Sequence, residues 1–258
     1  MTTQKQKAGI FRDLHVKGKP LILFNIWDAG SAKVIEEAGA KAIATGSWSV
    51  AAANGFADGQ ELPFDLAMEN LERIVRSVDL PVSVDFEGGY TTDNSNLKEN
   101  IKRVIETGAV GINFEDRIIG GDGLYSIEEQ SSRISTIREA ARETGIPIFI
   151  NARTDVFLKT YPAVHTEEQL DEAIRRAIAY AEAGASGVFA PGLRDPALID
   201  KLCSASALPV NIMVLPDTPA AGELAKLGVA RISHGPGPYR AMAKALKEAG
   251  EKVFAEII

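Results

Sequence analysis

The chain has a single cysteine, Cys203, among 258 residues. One thiol closes no disulfide within the chain and builds no thiolate metal cluster, so neither device can hold this fold together. Histidine is nearly as scarce, with three copies; His15 and His165 stand in polar segments without ligand spacing, which leaves His234. A basic excess is missing too. Lys and Arg number 28 against 35 Asp and Glu, a formal net charge of -7, and nucleic acids or anionic membrane surfaces need a clustered basic face. No uninterrupted apolar run approaches the roughly 18 to 20 residues of a membrane span. The opening MTTQKQKAGIFRDL lacks the apolar core of a signal peptide. The expectation is a soluble cytoplasmic protein without nucleic-acid or membrane partners.

What is there is a repeat. EEAGAKAIATGS from 36, IETGAVGINFED from 105, AEAGASGVFAPG from 181 and AKLGVARISHGP from 225 each read as a helix end, a glycine stop and a short strand. VDLPVSVDFE, TGIPIFINARTD and SALPVNIMVL start a strand after proline, where losing one backbone donor costs least. With KPLILFNIWD, eight strands are expected near residues 21–26, 41–45, 82–86, 110–114, 147–152, 186–190, 209–214 and 229–233. Stretches with helical apolar spacing, such as LAMENLERIVRSV and LDEAIRRAIAYAEAG, lie between them. Strand and helix alternating eight times predict an α/β fold, a TIM-type (β/α)8 barrel spanning 1–258 as one domain. A doubly wound open sheet needs no such eightfold count.

In a barrel the strand ends share one rim. Reading past each strand gives Asp28, then TGSW with Asp58 beyond, Asp85 and Glu87, Glu115 and Asp116, Asn151, Arg153 and Asp155, Asn211, and His234. Asp85 and Glu87 are two apart, so on a strand they share a face. Glu115 and Asp116 are adjacent and point oppositely, with Glu115 expected at the site. Converging carboxylates repel unless a cation sits among them, and oxygen ligands favour a hard divalent ion such as Mg2+. Arg153 reads either as half of a buried ion pair or as the bidentate partner of a substrate carboxylate. His234 reads as a strand cap or a site residue, and Cys203 as packing.

These residues lie in segments, LFNIWDAGSAKVIEEAGAKAIATGS, GFADGQ, VDFEGGY, GINFED, INARTD and VNIMV, whose order and spacing resemble the isocitrate lyase and phosphoenolpyruvate mutase superfamily over nearly the whole chain. The resemblance implies a barrel, a Mg2+ ion (Mn2+ is the substitute of the same class), and a small 2-oxo or 2-hydroxy carboxylic acid passing through an enolate-like state. By position it implies Asp85 as direct metal ligand, with Asp58, Glu87 and Glu115 holding the ion through water. It implies Thr45, Gly46 and Ser47, next to Trp48, as the loop gripping the substrate carboxylate, with Arg153 and Asn211 as further contacts. The eighth helix, here YRAMAKALKEAGEKVFAEII, is commonly exchanged between subunits, which implies a homodimer or homotetramer.

Two departures matter. The superfamily has aspartate where this chain has Glu87. The loop after FED, which carries Lys-Lys/Arg-Cys-Gly-His in the lyases and Lys with Asn in the mutases, reads RIIGGDGLYSIEEQ here, without cysteine, lysine or histidine. Cleavage of isocitrate or methylisocitrate needs an acid and a base, each worth roughly 10² to 10⁴ in rate. Oxaloacetate decarboxylation needs mainly a Lewis acid and one proton, from Tyr125 or His234. The expectation is therefore a carbon-carbon lyase, with decarboxylation of an oxaloacetate-like acid favoured over diacid cleavage and over phosphonate chemistry. A 2-oxo acid binding protein without turnover stays open.

Overall fold

The computed structural model describes residues 2–161 and 164–255. Eight parallel strands, β1 (Leu21–Leu23), β2 (Ile43–Ala44), β3 (Val82–Asp85), β4 (Gly111–Glu115), β5 (Phe149–Arg153), β6 (Gly187–Phe189), β7 (Val210–Met213) and β8 (Arg231–Ser233), run in the order β1-β8-β7-β6-β5-β4-β3-β2. A single parallel bridge between Ile26 and Thr45 joins the two end strands and closes the barrel. Six strands fall inside the stretches expected from the sequence, and β4 and β5 run one residue past theirs, to Glu115 and Arg153. The glycine stops have the predicted cause: Gly39, Gly108, Gly184 and Gly228 take φ values of 95°, 96°, 101° and 83°, where a side chain is strained.

The ring of helices is α1 (Gln4–Asp13), α2 (Ala29–Glu37), α3 (Ser47–Ala53), α4 (Phe64–Ser77), α5 (Asn94–Glu106), α6 (Ile127–Thr144), α7 (Glu167–Glu182), α8 (Pro196–Ala205), α9 (Ala221–Lys226) and α10 (Gly237–Ala255). Asp28, expected among the rim groups, is spent on structure: its carboxylate accepts the Ser31 amide at 2.7 Å and caps α2, an interaction worth about 1 kcal/mol. Outward strand residues pack under the helices in two apolar clusters. One joins β3–β5 to α4–α6 through Val84, Ile112, Phe114, Leu97 and Ile137. The other joins β6–β8 to α7–α9 through Val210, Ile212, Leu202 and Leu224. Cys203 is buried in the second, as its packing role requires.

α1 plugs the N-terminal end of the strands. Its Phe11, fully buried, packs with Leu21, Leu23, Ala42 and Phe149. Above that plug the interior turns polar, because alternate residues of neighbouring strands share a level: Asp85 lies beside Asn113 and Asn113 beside Asn151, Glu115 beside Arg153, and Asn211 beside Arg231. α10 differs from the other helices. Only Pro238 of it is buried, and Met242, Leu246, Val253 and Phe254 are exposed. The expected last helix extends to Ile258, and residues 256–258 lie outside the described ones. No helix among the described residues is long and apolar enough to cross a membrane.

Candidate active site

The C-terminal ends of the strands bring the expected acids together. Asp85 closes β3, its amide donating to Thr45 Oγ1 at 2.9 Å and its Oδ2 accepting the Ser47 amide at 3.1 Å. Its Oδ1 is buried without a partner among the described residues. Glu87 corrects the expectation that it shares a strand face with Asp85: β3 has ended, and Glu87 has a φ of 50°. A left-handed turn swings the side chain back over the mouth, where Oε2 accepts the Gln60 amide at 2.9 Å and Oε1 accepts from Tyr90 Oη at 3.4 Å. Glu115 ends β4 and pairs with Arg153 Nη1 at 2.8 Å. Arg153 ends β5 and grips Asp155 through Nε and Nη2 at 2.6 and 2.8 Å. Asp116 points away from the mouth, as expected, and accepts from Tyr180 Oη at 2.9 Å and Arg176 Nη1 at 3.1 Å.

The acids disturb one another. Burial, with the fields of Asp85 and Asp58, pushes the Glu87 carboxyl up to about 8. Burial also lifts Glu115 to about 8, with Asp155, Asp85 and Glu87 adding to the shift and Arg153 opposing it. Asp58, on the loop over the mouth, is raised by desolvation and then by Asp85. Burial works against the charge of Arg153, yet Glu115 and Asp155 raise it well above its ordinary range. Three carboxyls held away from their ordinary ionisation by burial and then by neighbouring negative charge, with one orphaned Asp85 oxygen among them, form an oxygen donor set fitting a hard divalent cation. Among the described residues no three acidic, His or Cys side chains stand close enough to clasp an ion directly. That spacing fits one direct carboxylate with the others acting through water.

Two lobes open from this centre and share Ser47, Asp58 and Arg153. The acid lobe, about 740 Å3, is lined by Glu87, Glu115, Tyr90, Arg117 and Tyr125. The second lobe, about 270 Å3, has Asp85 and Asn113 in its lining and apolar walls of Trp48, Phe189, Met213, Leu158 and Leu215. The loop after Asp116 is shorter than its sequence suggests. Arg117 pairs with Leu124 in an antiparallel bridge, and Ser126 already caps α6.

Two other expected site residues lie outside the lobes, and one expected loop has its amides engaged within the chain. His234 is outside the lining of both lobes: its ring packs against Phe24 at 5.1 Å and its amide donates to Asn25 Oδ1 at 3.0 Å. Asn211 sits within the barrel, its Oδ1 accepting from Ser233 Oγ at 3.1 Å, and also lines neither lobe. In the Thr45-Gly46-Ser47 loop, the Gly46 amide donates to the Ile26 carbonyl and the Ser47 amide to Asp85. Sequence reasoning missed Asn113 and Arg231, a buried polar pair inside the barrel, because GINFED and VARIS read as ordinary strand segments.

Fold and rim together define an α/β-barrel enzyme with an acidic site at the C-terminal end of the strands. The phosphoenolpyruvate phosphomutase family model matches residues 11–254, and the chain belongs to that family. A putative phosphonomutase structure from Burkholderia cenocepacia J2315 is 52% identical, covers 96% of this chain and 99% of its own, and superposes with a TM-score of 0.94. The 2-methylisocitrate lyase of Escherichia coli (strain K12) is 30% identical over 245 residues, 91% of this chain and 80% of its own. A phosphonopyruvate hydrolase solved with oxalate and Mg2+ shares the fold at a TM-score of 0.84 and 21% identity, with 97% of this chain and 87% of its own covered.

Proposed function

We propose that this protein is a Mg2+-dependent lyase that breaks a carbon-carbon bond in a small 2-oxo or 2-hydroxy acid, with decarboxylation of an oxaloacetate-like acid favoured. The observation that carries this reading is the ring of Asp58, Asp85, Glu87 and Glu115 around Arg153, opening onto an apolar lobe. Asp85, with Asp58, Glu87 and Glu115 around it, would hold a Mg2+ or Mn2+ ion, which would supply the positive charge that polarises a 2-oxo group.

The remaining steps belong to the chain's own side chains. Arg153 commits two of its five N–H donors to Asp155 and pairs with Glu115, which fixes its plane and leaves donors for a substrate carboxylate. Trp48, Phe189 and Met213 withhold water from a carboxylate in the second lobe, which favours its loss as neutral CO2. Tyr125, in the acid lobe and stacked under Arg133 at 4.6 Å, supplies the proton to the product carbanion. The acid lobe, larger than a four-carbon acid needs, favours cleavage of a longer diacid as the second reading.

The test is a panel of oxaloacetate, isocitrate, methylisocitrate and dimethylmalate, assayed with Mg2+ and with EDTA against the metal-only rate. Turnover of one acid that vanishes on chelation supports the proposal; binding without turnover of any makes the protein a 2-oxo acid binder. The exposed apolar residues of α10 and the uncovered Ile22 and Phe24 of the barrel wall support a homodimer or homotetramer built by exchange of α10. Light scattering of the intact protein, expected to exceed the monomer mass, checks this.

A further inference from the structure

Arg231 is 1% exposed, the first residue of β8, and its side chain lies inside the barrel. Of the other buried arginines, Arg153 and Arg176 meet carboxylates and Arg133 meets two backbone carbonyls. Arg231 makes one hydrogen bond, Nη2 to Asn113 Oδ1 at 3.0 Å, and its Nε and Nη1 have no partner among the described residues. A guanidinium removed from water with a single neutral acceptor is costly, so the position calls for a function. Burial lowers its proton affinity to about 9, and the field of Asp85 above it works the other way.

Asn113 Oδ1 also accepts from Asn151 Nδ2 at 2.9 Å. With its oxygen held by two donors, the amide of Asn113 can turn only its Nδ2 donor elsewhere. Asn113 lines the apolar lobe next to Asp85 and Arg153. The arrangement is a donor aimed upward from the cavity floor, with a fixed positive charge directly behind it.

We infer that Arg231 is a positioning residue, which locks Asn113 as a hydrogen-bond donor to an anionic oxygen of the bound 2-oxo acid or its enolate. The inference rests on the proposed function and adds a residue pair to it. Preorganised donors of this kind act on charge that develops during reaction, not on ground-state binding alone.

The experiment uses the full chain with Mg2+ and oxalate, a planar dianion resembling an enolate. Calorimetry gives the oxalate Kd, and turnover of the best acid gives kcat and KM. Arg231→Met and Asn113→Ala are each expected to weaken oxalate about tenfold or more and to lower kcat more than they raise KM. Arg231→Lys restores part of the loss. Asn113→Asp, with an anion in place of the donor, is worse than Asn113→Ala. The double variant Arg231→Met/Asn113→Ala is no worse than either single change, because both remove one unit. If thermal melting shows Arg231→Met to be unfolded, Arg231→Lys and Asn113→Asp carry the test. Oxalate affinity within twofold of the parent in the folded variants, or additive losses in the double variant, overturns the inference. A parent that ignores oxalate in Mg2+ removes the proposed function and this inference with it.

Discussion

The two ends of the barrel both bury titratable side chains and treat them oppositely. At the plugged end, His15 stacks on Phe149 at 4.0 Å, meets Phe11 edge-on at 4.8 Å, and bonds the Phe11 carbonyl through Nδ1 at 2.7 Å. Burial, then the charge of Arg231, drives its pKa down to about 3, so it stays neutral within its packing. At the open end, four carboxylates gather with Arg153 in a space too polar to pack and too crowded to ionise freely. One end keeps its buried base neutral by packing; the other keeps an electrostatic conflict that a bound cation would relieve. Local conflict of this kind is where a fold commonly places its chemistry.

If that contrast is right, Asp85→Ala gives the largest effect. Mg2+ binding by calorimetry and turnover both fall by about 10³-fold or more, while the metal-free melting temperature rises or holds, because one repelling charge is gone. At the opposite end, Phe11→Ala removes a fully buried ring and costs about 3–5 kcal/mol in denaturant unfolding, with kcat per folded molecule unchanged. Exchange of these two outcomes would break the comparison. Tyr125→Phe keeps the ring on Arg133 and removes the proton, so kcat falls about 10²-fold with little change in Mg2+ affinity or stability.

A pH profile sharpens the same comparison. His15, lowered from 6.5 to about 3, contributes stability that is present above 6.5 and lost as pH falls towards 3. Glu87 and Glu115, raised from 4.5 to about 8, contribute stability that is present below 4.5 and lost as pH rises through 8. Melting temperatures in EDTA should therefore decline on both sides. Mg2+ should abolish the alkaline decline and leave the acid one, and His15→Gln should flatten only the acid limb. A metal-independent alkaline limb would remove the carboxylate account.

Most of the fold was legible because helix stops and strand starts are local events. Gly39, Gly108, Gly184 and Gly228 announced theirs through a backbone need that only neighbouring residues set. Asp85, Glu87 and Glu115 were legible for the same reason, since each lies at or just past a strand end, whereas Asp58, in a loop beyond α3, was placed by the family resemblance alone. Glu87 was misplaced because a turn, not strand alternation, aims it. The contact of the His234 ring with Phe24, far away in sequence, was not legible at all. Asn113 and Arg231 gave no signal, since a polar residue in a strand faces the interior or the helices by a parity that only closure of the sheet fixes.

By itself, then, the sequence determined eight strand-helix units and the acidic character of one rim, which follow from short-range periodicity and composition. Only the tertiary structure decided which carboxylates repel one another, which arginine is held flat and which is left almost unpartnered, and that His15 is neutral. Those properties depend on distance and solvent exclusion between groups remote in the chain, and both come into being when the barrel closes.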